Sequence, residues 1–130
     1  MYKINGLIFE QPKFCHITPV LSQLYWLPIK YRIEFKILLM TFTAIHGMAP
    51  DYCCKLISRR KSTGYSLRSS KRVMLEVPSG KILPTVGGRA FCYAAPKLWN
   101  NLPSEISSLE SLSYFKCHVK TYLFKQAFNL

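Results

Sequence analysis

Residues 28–46, PIKYRIEFKILLMTFTAIH, decide the fold. Ile29, Ile33, Ile37, Met40 or Thr41, and Ala44 or Ile45 recur three and four residues apart, the period of a helix face. Lys30, Arg32, Glu34 and Lys36 face elsewhere. Proline suits the first turn of a helix, where its missing N–H would have no partner anyway, so Pro28 marks a start. Gly47 supplies the left-handed residue that ends many helices, and Pro50 follows it. The spacing predicts a helix over 28–46. Its C-terminal half is apolar on most sides and is expected at the buried centre.

Outward from that helix, Thr18 followed by Pro19 reads as a capping residue and a first helical position, leading into Val20, Leu21 and Leu24. Residues 51–58 read as a short helix with Tyr52 or Cys53, Leu56 and Ile57 inward. Residues 73–77, VMLEV, alternate weakly before Pro78-Ser79-Gly80 and predict a short strand. Residues 81–86 are its candidate partner, with Pro84 placing that partner at an edge. Phe91, Ala95, Leu98, Trp99 and Leu102 have helical spacing, but Pro96 interrupts it and disfavours helix at Ala95. The helix is therefore expected mainly over 96–100. Trp26 and Trp99, flanked by leucine and proline, are expected in the core. Ser108 or Ser111 can cap a final helix carrying Leu112, Phe115, Val119, Tyr122 or Leu123, and Phe124 inward. Lys116, Lys120 and Lys125 lie on its other side.

The expected fold class is mainly α with a small β-hairpin (α+β), a small helical domain or an incomplete piece of one. Residues 1–17 form a poorly defined leader, 18–58 a helical segment and 59–72 a basic loop. Residues 73–130 supply the hairpin and the C-terminal helices, packed with 18–58 as one domain.

Of the 130 residues, 49% are apolar and 18% charged, a balance suited to a packed chain. No apolar run approaches the roughly 18 residues of a membrane span, and no secretory signal is visible. An intracellular protein of the cytoplasm or nucleus is expected, neither secreted nor transmembrane. Five cysteines, with Cys53 and Cys54 adjacent, fit free and mostly buried thiols in a reducing compartment. Eighteen Lys and Arg against six Asp and Glu leave a charge of +12. Such an excess favours polyanions, nucleic acid first and an acidic membrane surface second.

Residues 59–72, RRKSTGYSLRSSKR, concentrate that charge, with six basic residues and no acidic one. Arg59, Arg60, Lys61, Arg68, Lys71 and Arg72 are the candidate phosphate contacts, Tyr65 a candidate stacking ring, and Arg89 a further phosphate contact. A solvated surface loop is the alternative. Catalysis is not expected. Glu10, Glu34, Asp51, Glu76, Glu105 and Glu110 are scattered singly, whereas metal-dependent nucleotidyl transfer needs acidic residues close together. Cys15-His16, Cys53-Cys54 and Cys117-His118 lack the gap usual between paired zinc ligands, so no metal or cofactor is expected. Pairing Cys92 with His46 as nucleophile and base has no local support.

Five ordered blocks carry a resemblance: LYWLPIKYRIEFKILLMTFTAIHGMAPDY, YSLRSS, LEVP, GRAFCYAAPKLWNNLPSEI and LSYFKCHVKTYLF. Together they resemble the C-terminal region, at or after the thumb, of reverse transcriptases from LINE-type (non-LTR) retrotransposons, over roughly residues 22–128. The resemblance implies association with reverse transcription of element RNA into DNA. The tail would hold RNA or the template–primer duplex, without sequence preference, beside the parent's polymerase domain. The family's Tyr-x-Asp-Asp run, an endonuclease domain and a zinc knuckle are missing, and Gly88 stands where family members often have Asp before Arg-Ala-Phe. A truncated element copy, or a structural remnant without independent activity, is the alternative expectation.

Overall fold

A computed structural model of the chain describes residues 16–61, 72–79 and 90–130. Within them the fold is mainly α. Six helices follow in order: α1 Thr18–Gln23, α2 Ile29–Ile45, α3 Asp51–Lys55, α4 Phe91–Asn101, α5 Ser104–Ser107 and α6 Leu112–Phe128. Helix α2 is central, packing against α3, α4 and α6, while α5 packs on α6.

The helix ends follow from local chemistry. Pro28, Pro50 and Pro103 directly precede α2, α3 and α5, each in an extended conformation. After α2, Gly47 takes φ 68°, and the amides of Gly47 and Met48 turn back to the carbonyls of Ala44 and Thr43. That is the Schellman arrangement, in which a left-handed residue lets the next amides cap the last turn. Asn129 ends α6 similarly with φ 53°. Helix α1 ends the same way without glycine. Tyr25 takes φ 54°, and the amides of Tyr25 and Trp26 reach Ser22 O and Leu21 O at 3.1 and 2.9 Å. Ser111 precedes α6 as expected, although its side chain makes no capping hydrogen bond.

Helix α2 turns inward a side that the isoleucine spacing gave only in part: Thr41 and Ile45 lie on it, and Ile29 and Ile33 do not. Leu38, Thr41 and Phe42 are buried, with Tyr31, Phe35, Leu39 and Ile45 packed beside the core. Ile29, Ile33 and Met40 are 62, 57 and 45% exposed. Both sets repeat at three- and four-residue spacing, because apolar residues run almost round the helix. The partner surfaces decide between them: Phe42 stacks on Phe115 of α6, a ring contact that isoleucine could not make. The buried centre does fall in the C-terminal half.

Helix α4 begins at Phe91 and carries Pro96 in its interior, so it is longer than the 96–100 the proline suggested. Proline there removes one amide donor and costs about 3 kcal/mol in an ordinary helix interior. Burial offsets the loss, since Ala95, Pro96 and Trp99 all face the core. Of the two inward alternatives in α3, Cys53 is buried and Tyr52 is exposed; just after the helix Ile57 packs against the core, whereas Leu56, expected inward, is exposed.

Residues 73–77 do not form a regular strand. Leu75 makes an isolated antiparallel bridge with Arg59, flanked by Arg60 N–H to Met74 O (2.9 Å) and Glu76 N–H to Ser58 O (2.8 Å). The expected hairpin is not seen among the described residues, and its candidate partner, 81–86, lies outside them. Helix α4 substitutes for a neighbouring strand. The Asn100 side-chain amide accepts from Leu75 N–H (3.0 Å) and donates to Leu75 O (2.9 Å), as a paired backbone would. Trp99 Nε1–H donates to Val73 O at 2.9 Å.

The core joins these pieces through stacked aromatics. Trp99 of α4 lies 5.7 Å from Phe115 of α6, and Phe115 stacks at 4.3 Å on Phe42 of α2. All three rings are fully buried. Each such side chain contributes about 1.5–3 kcal/mol through burial. Trp99→Phe keeps an aromatic ring in the stack but leaves the Val73 carbonyl without its donor. It is expected to cost about 1–3 kcal/mol, against about 3–5 kcal/mol for Trp99→Ala. Urea unfolding followed by circular dichroism checks the order; equal losses would deny the indole N–H its role.

Candidate nucleic-acid interface

The basic residues singled out from the sequence divide into two groups by what their side chains touch. Arg59 is exposed, yet its Nη2 donates to Ile45 O at 2.7 Å, closing the last turn of α2. Arg72 is half-buried and donates to Asn100 O at 2.7 Å and also to Leu102 O, at the end of α4. Its Nε is buried without a partner. A cation at the C-terminal carbonyls of a helix is favoured by the helix dipole, so Arg72 acts on the fold. Arg60 and Lys61 are exposed, and among the described residues Arg60 hydrogen-bonds only through its backbone, to Met74. Arg68, Lys71, Arg89 and Tyr65 lie outside the described residues.

A second cationic surface was not singled out from the sequence. Tyr25, Trp26, Leu27, Arg32, Phe35 and Lys120 line a notch of about 410 Å³ between the start of α2 and α6. Its construction starts at Pro28, which pushes Leu27 toward extended backbone. Successive side chains of an extended segment point to opposite sides. Leu27, 5% exposed, takes the inward side and Trp26, 40% exposed, the outward one. Trp26 is thus not the core residue its leucine and proline neighbours suggested. The sequence signals one large apolar residue inward before Pro28; it does not signal which.

Two cations flank the aromatic rings of the notch. Arg32 Nε donates to Leu27 O at 2.7 Å, and its guanidinium carbon stands 5.9 Å from the Trp26 ring centre. Lys120 Nζ lies 4.8 Å from the Tyr25 ring centre. The Tyr25 ring also packs on Phe124 at 4.3 Å, and its hydroxyl is 3.1 Å from Thr121 Oγ1. These contacts offset the strain of a bulky residue at positive φ, which costs of order 1–3 kcal/mol. Among the described residues no carboxylate lines the notch. Arg32 and Lys120, 88 positions apart, therefore reinforce one positive field across two π faces.

Two further surfaces bear on function. Ile29, Ile33, Ile37 and Met40 line a shallow apolar groove of about 500 Å³ edged by Arg32 and Lys36. A cleft of about 390 Å³ is walled by Ile45, His46, Arg59, Trp99, the buried Ser107 and Glu110, among others. There the His46 ring stacks on Phe42 at 4.1 Å and its Nδ1–H donates to Phe42 O at 2.9 Å, a structural arrangement. Cys92 is not in that wall. Cys53, Cys54, Cys92 and Cys117 are free thiols. Among the described residues no three His, Cys, Asp or Glu side chains gather as metal ligands, and no helix is long and apolar enough to cross a membrane.

No protein-family model, curated protein or solved structure matches this chain.

The two groups of cations differ in consequence. Arg72→Gln removes a charge-assisted donor from two carbonyls and is expected to cost about 1.5–3 kcal/mol of stability. The double substitution Arg60→Gln with Lys61→Gln is expected to stay within about 0.5 kcal/mol of the unsubstituted protein. Thermal and urea unfolding of the two variants checks the contrast. A neutral Arg72→Gln would mean that the carbonyl contacts carry no stability.

Proposed function

We propose that this chain is a non-catalytic nucleic-acid-binding tail of a LINE-type retrotransposon reverse transcriptase, acting inside the cell. It holds RNA or DNA through the phosphate backbone, beside the polymerase domain of the parent protein, and performs no chemistry of its own. The observation that carries the reading is the presentation of charge. A chain of +12 directs Arg60 and Lys61 to solvent and brings Arg32 and Lys120 together in an aromatic notch that holds no carboxylate among the described residues. Phosphate contacts by such side chains release counterions and are indifferent to sequence. The five ordered sequence blocks supply the lineage.

A second reading is a structural remnant of the same lineage with no independent activity. The exposed Ile29, Ile33 and Met40 favour it, because an apolar face of this kind suits a surface that packs on a larger protein. The two readings separate in solution.

Filter binding of RNA and DNA oligomers across salt makes the test. The tail reading expects measurable affinity at 50 mM salt that weakens steeply by 200 mM. Arg60→Gln with Lys61→Gln is expected to lower the log–log salt slope by about one to two. No affinity at low salt, or affinity unchanged by salt, overturns the tail reading and leaves the remnant.

A further inference from the structure

We propose that the notch of Tyr25, Trp26, Arg32 and Lys120 is a site for one unpaired nucleotide of a single strand, with the base on Trp26 and the phosphate toward Arg32 and Lys120. The inference rests on the nucleic-acid reading and adds to it a location and a strand preference. It assigns binding to residues outside the basic segment 59–72.

Four observations converge on this ligand class. The Trp26 ring is 40% exposed and stands beside a volume of about 410 Å³, room for a base and its sugar–phosphate. The indole is not left out by accident of a loose loop, because its neighbours on both sides are fixed. Leu27 is buried, and Tyr25 is held by Phe124 and Thr121. Arg32 is oriented by its Nε bond to Leu27 O, and among the described residues no hydrogen bond engages its Nη nitrogens. Lys120 reaches the other end of the notch over the Tyr25 ring. A π face next to two fixed cations matches a base attached to a phosphate. It matches a duplex poorly, since paired bases hide their faces.

The geometry also explains why tyrosine occupies the left-handed position that closes α1. Glycine would relieve the backbone there, but it would remove the ring that supports Lys120 and walls the notch.

Intrinsic fluorescence provides the readout. Trp99 is fully buried and Trp26 is exposed, so quenching by a stacked base reports on Trp26 alone. The full chain is titrated at 50 mM salt with a ten-nucleotide oligothymidine, an abasic oligomer of equal length, a duplex and an acidic peptide. The proposal expects quenching by oligothymidine, and binding about 5- to 100-fold tighter than to the abasic oligomer, the range for one stacked base. Trp26→Ala is expected to erase that preference. Trp26→Phe should keep most of the preference without any quenching. Lys120→Gln should weaken both oligomers. Unfolding midpoints close to the parent's establish that the variants are folded.

Equal affinity for base-bearing and abasic oligomers overturns the proposal while the nucleic-acid reading stands. Undiminished preference in Trp26→Ala does the same. Quenching and tighter binding by the acidic peptide than by oligothymidine would assign the notch to a protein partner instead. Absence of binding to every nucleic acid overturns both readings together.

Discussion

The fold depends on Trp99. Its ring is the contact through which α4 meets the stack of Phe115 and Phe42, and so joins α4, α6 and α2. Its Nε1–H satisfies the Val73 carbonyl, and Asn100, the next residue, pairs with both polar groups of the Leu75 backbone. An indole buried this deeply needs a partner for its N–H. Here the partner is a segment without regular structure of its own. Residues 72–75 stay beside the core because α4 offers them side-chain hydrogen bonds in place of a strand. Leu75, 1% exposed, then fills the space between. One helix end thus organises the core and anchors the return of the chain from the basic segment.

That anchoring determines which cations are available to a partner. Arg72 lies at the junction and is drawn to the carbonyls of Asn100 and Leu102; Arg59 is drawn to Ile45. Both neutralise helix C-termini, where partial negative charge collects. In a chain so cationic, such contacts also reduce self-repulsion among the arginines. The basic segment is therefore tied to the fold at its two ends, by Arg59 and by Arg72. The aromatic notch differs in kind, since its cations are held apart from the basic segment and set over rings.

Much of the helical layout was legible because helix ends are written in local chemistry. Pro28, Pro50 and Gly47 act through their own backbone restrictions and need no knowledge of the rest of the chain. The buried face of α2 was legible only in part. Ile29, Ile33 and Met40 compete with Phe35, Leu38 and Phe42 at the same period, and the stacking of Phe42 on Phe115 of α6 decides. Pro96 misled for a related reason: its cost is local, while the burial that offsets it is tertiary. Of the candidate contacts, Arg60 and Lys61 were singled out from charge alone, and both are exposed. The notch was not, because it needs the phase of the extended turn at 26–27 and the meeting of Arg32 with Lys120. The structural role of Arg72 needs the carbonyls of a helix some 28 residues further on.

Helix α2 carries these conflicts because nearly its whole circumference is in use. One side supplies Leu38 and Phe42 to the core, and another presents Ile29, Ile33 and Met40 to solvent. Arg32 sits at the border between the apolar groove and the notch, lining both. An exposed apolar ridge favours association with other apolar surfaces. Lys30 and Lys36 lie beside it, and a net charge far from zero opposes self-association through long-range repulsion. A charge of this size has two general consequences: it favours contact with polyanions and opposes association of like-charged copies.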